Sequence, residues 1–182
     1  MCGIAGVWRK RDPIGSGDLS DVVRMMRALA HRGPDDHRTW NDARLTLGHR
    51  RLTIIDPSPA AGEPMLTASG DGVLCYNGEV YNFRALRKTL EAEGLTFRTV
   101  SDTEVVLQAL HHWGPQKAVP LFDGMFSFAY SMPATVRCGL PGTGWASSRC
   151  RSPKQASASC SPPRTRRSSP AKTSDAGSTR AS

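Results

Sequence analysis

The sequence predicts a layered α+β domain over residues 1–130, followed by a basic tail over 131–182 that reads as disordered. Short apolar or β-branched runs alternate more than once with segments of helical periodicity, the order expected of an α+β or α/β layered domain. Gly-Pro pairs and a Ser-Gly-Asp-Gly stretch punctuate them. Charge divides the chain in the same place. Residues 1–130 hold 15 Lys+Arg and 15 Asp+Glu, whereas residues 131–182 hold nine basic residues and one acid, Asp175, so the net charge of +8 belongs to the tail. The tail has one aromatic, Trp145, among Ser, Arg, Pro, Ala, Thr and Gly. Such a composition buries too little apolar surface to offset the entropy of ordering.

The elements follow in order. Ile4-Ala-Gly-Val-Trp8 reads as a first strand that holds Cys2 at a sheet end, and Pro13, Gly15 and Gly17 mark a loop. Leu19, Val22, Val23, Met26 and Leu29 recur at helical spacing with Asp18 as N-cap, and Gly33-Pro34 closes that segment. Leu45–His49 is a short strand, and Leu52–Ile55 is a further β-branched run. Ser69-Gly-Asp-Gly72 turns between Met65–Thr67 and Val73–Tyr76. Phe83, Leu86 and Leu90 begin a second helix closed by Gly94. Ser101-Asp-Thr-Glu104 is a capping box for a third, which runs through Val105, Val106, Leu107 and Leu110 to Gly114-Pro115. Met125–Tyr130 is an aromatic strand, after which regular structure is expected to stop.

At 182 residues the chain suits one ordinary domain. No apolar run approaches a membrane span and no secretory leader pattern is present, so a cytoplasmic protein with no membrane partner is expected. Five cysteines without CxxC spacing suggest neither a disulfide framework nor a metal site. The basic tail lacks the aromatic interleaving of a specific nucleic-acid binder, and no nucleic-acid partner is expected.

Chemistry is concentrated at the start. Cys2 directly follows the initiator Met, whose removal leaves a thiol and a free α-amine on one residue. That amine titrates at about 7.7–8.0, so it can serve as a base near neutrality. Thiol plus adjacent base is the kit of an N-terminal nucleophile, set against the plainer reading of a small apolar core residue.

Six stretches in order decide the matter: Met1-Cys-Gly-Ile-Ala-Gly6, Arg32-Gly-Pro-Asp35, His49-Arg-Arg-Leu-Thr-Ile-Ile-Asp56, Tyr76-Asn-Gly-Glu-Val-Tyr-Asn82, Ser101-Asp-Thr-Glu104 and Phe122-Asp-Gly-Met-Phe-Ser-Phe128. On these, residues 1–130 resemble the glutaminase domain of glutamine-dependent asparagine synthetases, within the class II, N-terminal-nucleophile glutamine amidotransferases. The resemblance implies a four-layer αββα sandwich, incomplete here, and L-glutamine as ligand. Cys2 would attack the glutamine amide, with Asn77 and Gly78 as oxyanion hole. Arg51 would bind the substrate carboxylate, Asp102 its ammonium, and Leu52, Ile54, Ile55 and Glu79 would line the pocket. His31 and His49 read as structural, Cys75 as buried and inert, and Arg50 as a solvated surface charge. The chain itself would carry no cofactor or metal. ATP and Mg²⁺ belong to the family's synthetase domain, which converts aspartate to asparagine and is missing from this sequence, and family members are often homodimers. Two rivals remain: the glutaminase of another amidotransferase, and a non-catalytic glutamine-binding module, which retention of Met1 would favour.

After Tyr130 the resemblance breaks, and the tail reads as a shifted frame. Met132 (ATG) followed by Pro133 (CC-) restores GCC, alanine, one base over; Trp145 (TGG) followed by Ala146 (GC-) restores GGC, glycine. With suitable synonymous codons, Ser131–Cys150 restores F-D-A-R-D-G-T-L-W-L-A-R-D-R-V-G-I-K-P-L, and Ser157–Arg167 fits G-F-L-F-A-S-E-D-K-A, both close to the family pattern. On this reading the polypeptide lacks the strands that complete its sheets. It would expose sheet edges and release little ammonia.

Overall fold

In the computed structural model the described residues are 2–9 and 11–132, with the backbone alone of 135–140 and 143–146. All of them belong to one compact unit. The expectation of a disordered tail falls mostly outside these residues.

Two antiparallel sheets organise the chain. The first has the order β1 (Gly3–Trp8), β3 (Leu45–Arg51), β2 (Asp36–Asn41). The second runs β4 (Met65–Leu66), β5 (Val73–Val80), β6 (Gly124–Met132), β7 (Thr135–Leu140), β8 (Thr143–Ala146). The helices are α1 (Ser16–Ala28), α2 (Phe83–Ala92), α3 (Asp102–His112) and the short α4 (Pro115–Ala118).

The period of two along each strand sorts side chains into three apolar clusters. Ala5 and Val7 of β1 meet Val22, Met26 and Leu29 around α1. The opposite face of that sheet, with Ile4, Trp8, Leu45 and Leu47, packs against Val73, Cys75 and Ala129 of the second sheet. The other face of the second sheet, through Leu74, Tyr76, Val80, Phe126, Phe128 and Tyr130, packs against Leu86 and Leu90 of α2 and Val105, Val106, Leu107 and Leu110 of α3. Those four α3 side chains are fully buried, each worth roughly 1.5–3 kcal/mol of transfer free energy. Because α3 is covered nearly all round, its apolar run is continuous rather than one-faced. Gly48 lets α1 approach: a Cβ there would lie 2.1 Å from Met26 Sδ.

Several expectations need correction. Leu52–Ile55 is not a strand, since β3 ends at Arg51. Two N–H groups that a ladder would need go elsewhere: Leu52 N–H to Cys2 Sγ (3.4 Å) and Thr53 N–H to the Asp35 carboxylate (2.7 Å). The N-cap of α1 is Gly15, and Asp18 sits one turn in, where its carboxylate accepts the Gly15 N–H (2.9 Å) and the Arg9 guanidinium (2.6 Å). The capping box on α3 is half formed. Ser101 Oγ accepts the Glu104 N–H, but the Glu104 carboxylate takes the N–H groups of Arg98 and Thr99 and the Thr99 hydroxyl instead. Arg50 is not simply solvated, because its Nε–H donates to Met26 O in the last turn of α1 (3.0 Å). β2 is an edge strand that no sequence reading above foresaw.

Regular structure also continues past Tyr130. β6 extends to Met132, and β7 pairs with it from Phe128↔Gly139 to Met132↔Thr135. A bare β6 edge would leave backbone groups unpaired, and Thr135-Val-Arg-Cys-Gly-Leu140 is competent to cover it.

Candidate active site

The same period of two that builds the core between the sheets also builds a cavity at its open end. Along β3, Leu45, Leu47, His49 and Arg51 share the inner face, so two leucines give way to an imidazole and a guanidinium. In step with Ile4 and Trp8 of β1, Cys2 lies on that face. Beyond Val73 and Cys75 of β5, Asn77 does too. α3 closes the far side with Asp102, its first residue.

A cavity of about 160 Å³ results, room for a small molecule. Cys2, Arg51, Leu52, Ile54, Ile55, Asn77, Gly78, Glu79 and Asp102 all line it. Every site residue expected from sequence therefore reaches one place, from four segments of chain. The loop after β3 supplies Ile54 and Ile55, which stand exposed at the mouth. Tyr81 and Met125 are exposed lining residues that sequence reading did not single out.

Several of the polar groups are held. The Cys2 thiol rests against Leu52, whose N–H points at Sγ. Burial pushes this thiol up, the Leu52 N–H and Arg51 pull it down, and the Glu63 charge pushes it up. Arg51 is buried and donates to Ser58 O (3.1 Å) and Asp56 O, which fixes its planar fork. Asp56 in turn accepts from Ser58 N–H (2.8 Å) and Val100 N–H (3.1 Å), and these partners, Ser58 first, hold its carboxyl below the usual range. The Arg51 loop is thereby tied to the segment that leads into α3.

Asp102 Oδ2 accepts from the Tyr76 hydroxyl (3.0 Å) and the Val80 N–H (3.2 Å). Burial raises its carboxyl despite these bonds, and raises the Tyr76 hydroxyl as well. Gly78 has φ +155°, and a Cβ there would fall 2.2 Å from Met125 O, so the backbone of β5 lies against β6 with no side chain between them. The Asn77-Gly78 pair, a hairpin turn by dipeptide statistics, is the interior of a strand.

Two buried groups behind these residues complete the cluster. His49 Nε2 lies 3.1 Å from Tyr76 O, with Nδ1 unpartnered, so Nε2 carries the proton and donates. Sequence reading missed Glu63, which lines the cavity and whose Oε2 is 3.6 Å from His49 Nε2. They are not an ion pair. Burial pushes Glu63 up to about 8 and His49 down to about 4, so both are neutral near pH 7. The lining combines a cation (Arg51), carboxyl groups (Asp102, Glu79) and the Cys2 thiol, a set of charges that complements a zwitterionic ligand. Among the described residues no group of three or more His, Cys, Asp or Glu could hold a metal ion. No helix there is long and apolar enough to cross a membrane.

Residues 1–135 match the family model of a glutamine amidotransferase domain. An asparagine synthetase (glutamine-hydrolyzing) of Bacillus subtilis is 39% identical over 129 residues, 70% of this chain and 20% of that protein. One from Arabidopsis thaliana is 36% identical over 133 residues, 70% and 21% of the respective chains. The chain thus spans about a fifth of the length of these relatives. The solved glutamine phosphoribosylpyrophosphate amidotransferase of B. subtilis shares the fold: TM-score 0.61 at 17% identity, over 75% of this chain and 36% of that one.

Proposed function

From the premise that the chain belongs to the class II glutamine amidotransferase domains and matches the N-terminal portion of glutamine-hydrolysing asparagine synthetases, we propose that its cavity cleaves the side-chain amide of L-glutamine at Cys2. The observation that carries this reading is the convergence of Cys2, Arg51, Asn77 and Asp102 on one small cavity from separate elements. Once Met1 is removed, the α-amine of Cys2 takes the thiol proton, and Sγ attacks the amide carbon. The oxyanion is received by the Asn77 side-chain amide and the Gly78 N–H, and the proton passes to the leaving nitrogen, giving ammonia and a thioester. Water then hydrolyses the thioester to glutamate. Arg51 receives the substrate carboxylate and Asp102 its ammonium, while Leu52, Ile54, Ile55 and Glu79 bound the pocket.

The three apolar clusters support the four-layer αββα arrangement of N-terminal-nucleophile hydrolases. We extend the proposal to the whole relatives: the ammonia serves ATP-dependent conversion of aspartate to asparagine, with ATP and Mg²⁺ held by residues outside the fifth that this chain shares. The shifted-frame reading of 131–182 fits the end of the family match at residue 135.

The test treats the full chain with an electrophilic glutamine analogue. Stoichiometric labelling of Cys2, blocked by excess L-glutamine and absent in Cys2→Ala, is expected, with slow ammonia release and no asparagine formed. Labelling indifferent to glutamine, or a mature N-terminus that retains Met1, would sink the reading.

A further inference from the structure

One carboxyl in the cavity has no part in the chemistry above. Glu63 lies in the turn before β4 and is only 6% exposed. Its two oxygens face different elements. Oε2 accepts the N–H of Tyr76 in β5 and lies 3.6 Å from His49 Nε2 in β3. Oε1 accepts the hydroxyl of Thr103 in the first turn of α3, at 3.4 Å. Tyr76 immediately precedes Asn77 and Gly78, and Thr103 immediately follows Asp102. A single side chain therefore joins the backbone beside the oxyanion donors to the Thr103 hydroxyl beside the proposed ammonium site.

We propose that Glu63 is a positioning residue of this pocket: as a neutral acid it clamps the Asn77-Gly78 stretch of β5 to the Asp102 end of α3, and as an anion it opposes the thiolate of Cys2. The clamp half of the proposal rests on the glutamine reading of the cavity; the thiolate half needs only that Cys2 and Glu63 share it.

The groups facing Glu63 come from every element around it. Cys2 precedes β1, His49 and Arg51 come from β3, Cys75 and Tyr76 from β5, and Asp102 from α3. Arg51, the Tyr76 N–H and the Thr103 hydroxyl favour the anion; burial and the Asp102 charge oppose it, and burial dominates, leaving the carboxyl at about 8. His49 stays neutral at that pH and supplies no compensating charge. As pH rises through about 8 a negative charge therefore appears beside the thiols, and it acts on Cys2 and Cys75 in the upward direction. Cys75 is fully buried, which leaves Cys2 as the thiol that can report the charge.

The experiment compares the full wild-type chain with Glu63→Gln. A glutamine at 63 can still accept the Tyr76 N–H and donate to Thr103, but it never ionises. Iodoacetamide reactivity of Cys2 is followed between pH 6 and 10 by peptide-resolved mass spectrometry, with near-UV circular dichroism to check the fold. The Cys2 α-amine, which titrates at about 7.7–8.0, adds the same step to both profiles; beyond that step the two should be alike at pH 6 and Glu63→Gln roughly tenfold faster than the wild type at pH 9. Superimposable profiles overturn the thiolate half. If Glu63→Gln does not fold, Glu63→Ala, which likewise never ionises, takes its place: a faster Cys2 than wild type at pH 9 but not at pH 6 supports the proposal, and profiles that coincide overturn it. For the clamp, glutamine protection of Cys2 should survive in Glu63→Gln and weaken at least tenfold in Glu63→Ala; equal protection in both overturns it. Iodoacetamide requires no glutamine. A shifted profile without any glutamine protection would thus refute the proposed function and leave the thiolate inference standing.

Discussion

Asn77 offers the simplest measure of what a single side chain contributes to this cavity. In the proposed mechanism its amide is one of two oxyanion donors, and removing such a donor typically costs about 2.7–4 kcal/mol in the transition state. Asn77→Ala should slow Cys2 acylation by a glutamine analogue by about 10²–10³-fold while leaving the melting temperature nearly unchanged, since the residue is only half-buried. Glu63 and His49 predict a pH dependence of stability, with opposite signs. The Glu63 carboxyl is raised in the folded state, so the native chain binds more protons than the unfolded chain between about 4.5 and 8. Stability accordingly falls as pH rises through that window, by roughly 3 kcal/mol at pH 7. His49 is depressed, so its penalty develops as pH falls from about 6.5 to 4. Glu63→Gln should therefore be more stable than wild type at pH 7.5 and nearly equal to it at pH 4.5, as measured by urea denaturation. Glu63 was not legible in the sequence for a plain reason. A glutamate before proline in a short loop carries no periodic or motif signal, and its enclosure is made by β3, β5 and α3, none of them near it in the chain. That nine other residues would line one cavity was legible because they lie within motif stretches.

At the scale of elements, α3 shows how a helix start doubles as part of a site. Ser101 caps the Glu104 N–H and so fixes where Asp102, the next residue, enters the cavity. Ser101→Ala should lower stability by about 1 kcal/mol in thermal melts and weaken glutamine protection of Cys2. Gly78→Ala should be worse, because the added methyl meets the β6 backbone at a φ that side chains disfavour; loss of the cooperative near-UV melt is expected. The helices were readable from punctuation, since Gly94 and Gly114 adopt φ of +91° and +75° just past the ends of α2 and α3. Leu52–Ile55 misled because β-branched composition says nothing about who takes the backbone N–H groups, and here a thiol and the Asp35 carboxylate take two of them. β2 was invisible for the opposite reason: Asp-His-Arg-Thr-Trp-Asn is an edge strand paired to β3 alone, and its polar face carries no alternating pattern.

For the whole molecule, the break in the sequence after Tyr130 and the continuity of the sheet meet at β6. A chain ended after Met132 would remove β7 and β8 and bare the edge of β6. It should elute as aggregate in size-exclusion chromatography where the full chain does not. A DNA read across codon 130 tests the shifted frame separately: no single-base change needed to restore the family pattern would refute it. The composition of residues 131–182 concealed β7, because average composition describes a segment and a sheet edge recruits only six residues of it.

The cavity lining runs from Cys2 to Met125 along the chain. The Cys2 thiol is therefore the first part of the site to leave the ribosome, and the wall behind Gly78 is the last. At typical synthesis rates of about 5–20 residues per second, roughly 6–25 s separate the two. During that interval Cys2 is an ordinary exposed cysteine, with neither its shielding nor its partners. On the proposed mechanism, the time in which Met1 must be cut away is also the time in which Cys2 stands open to oxidants.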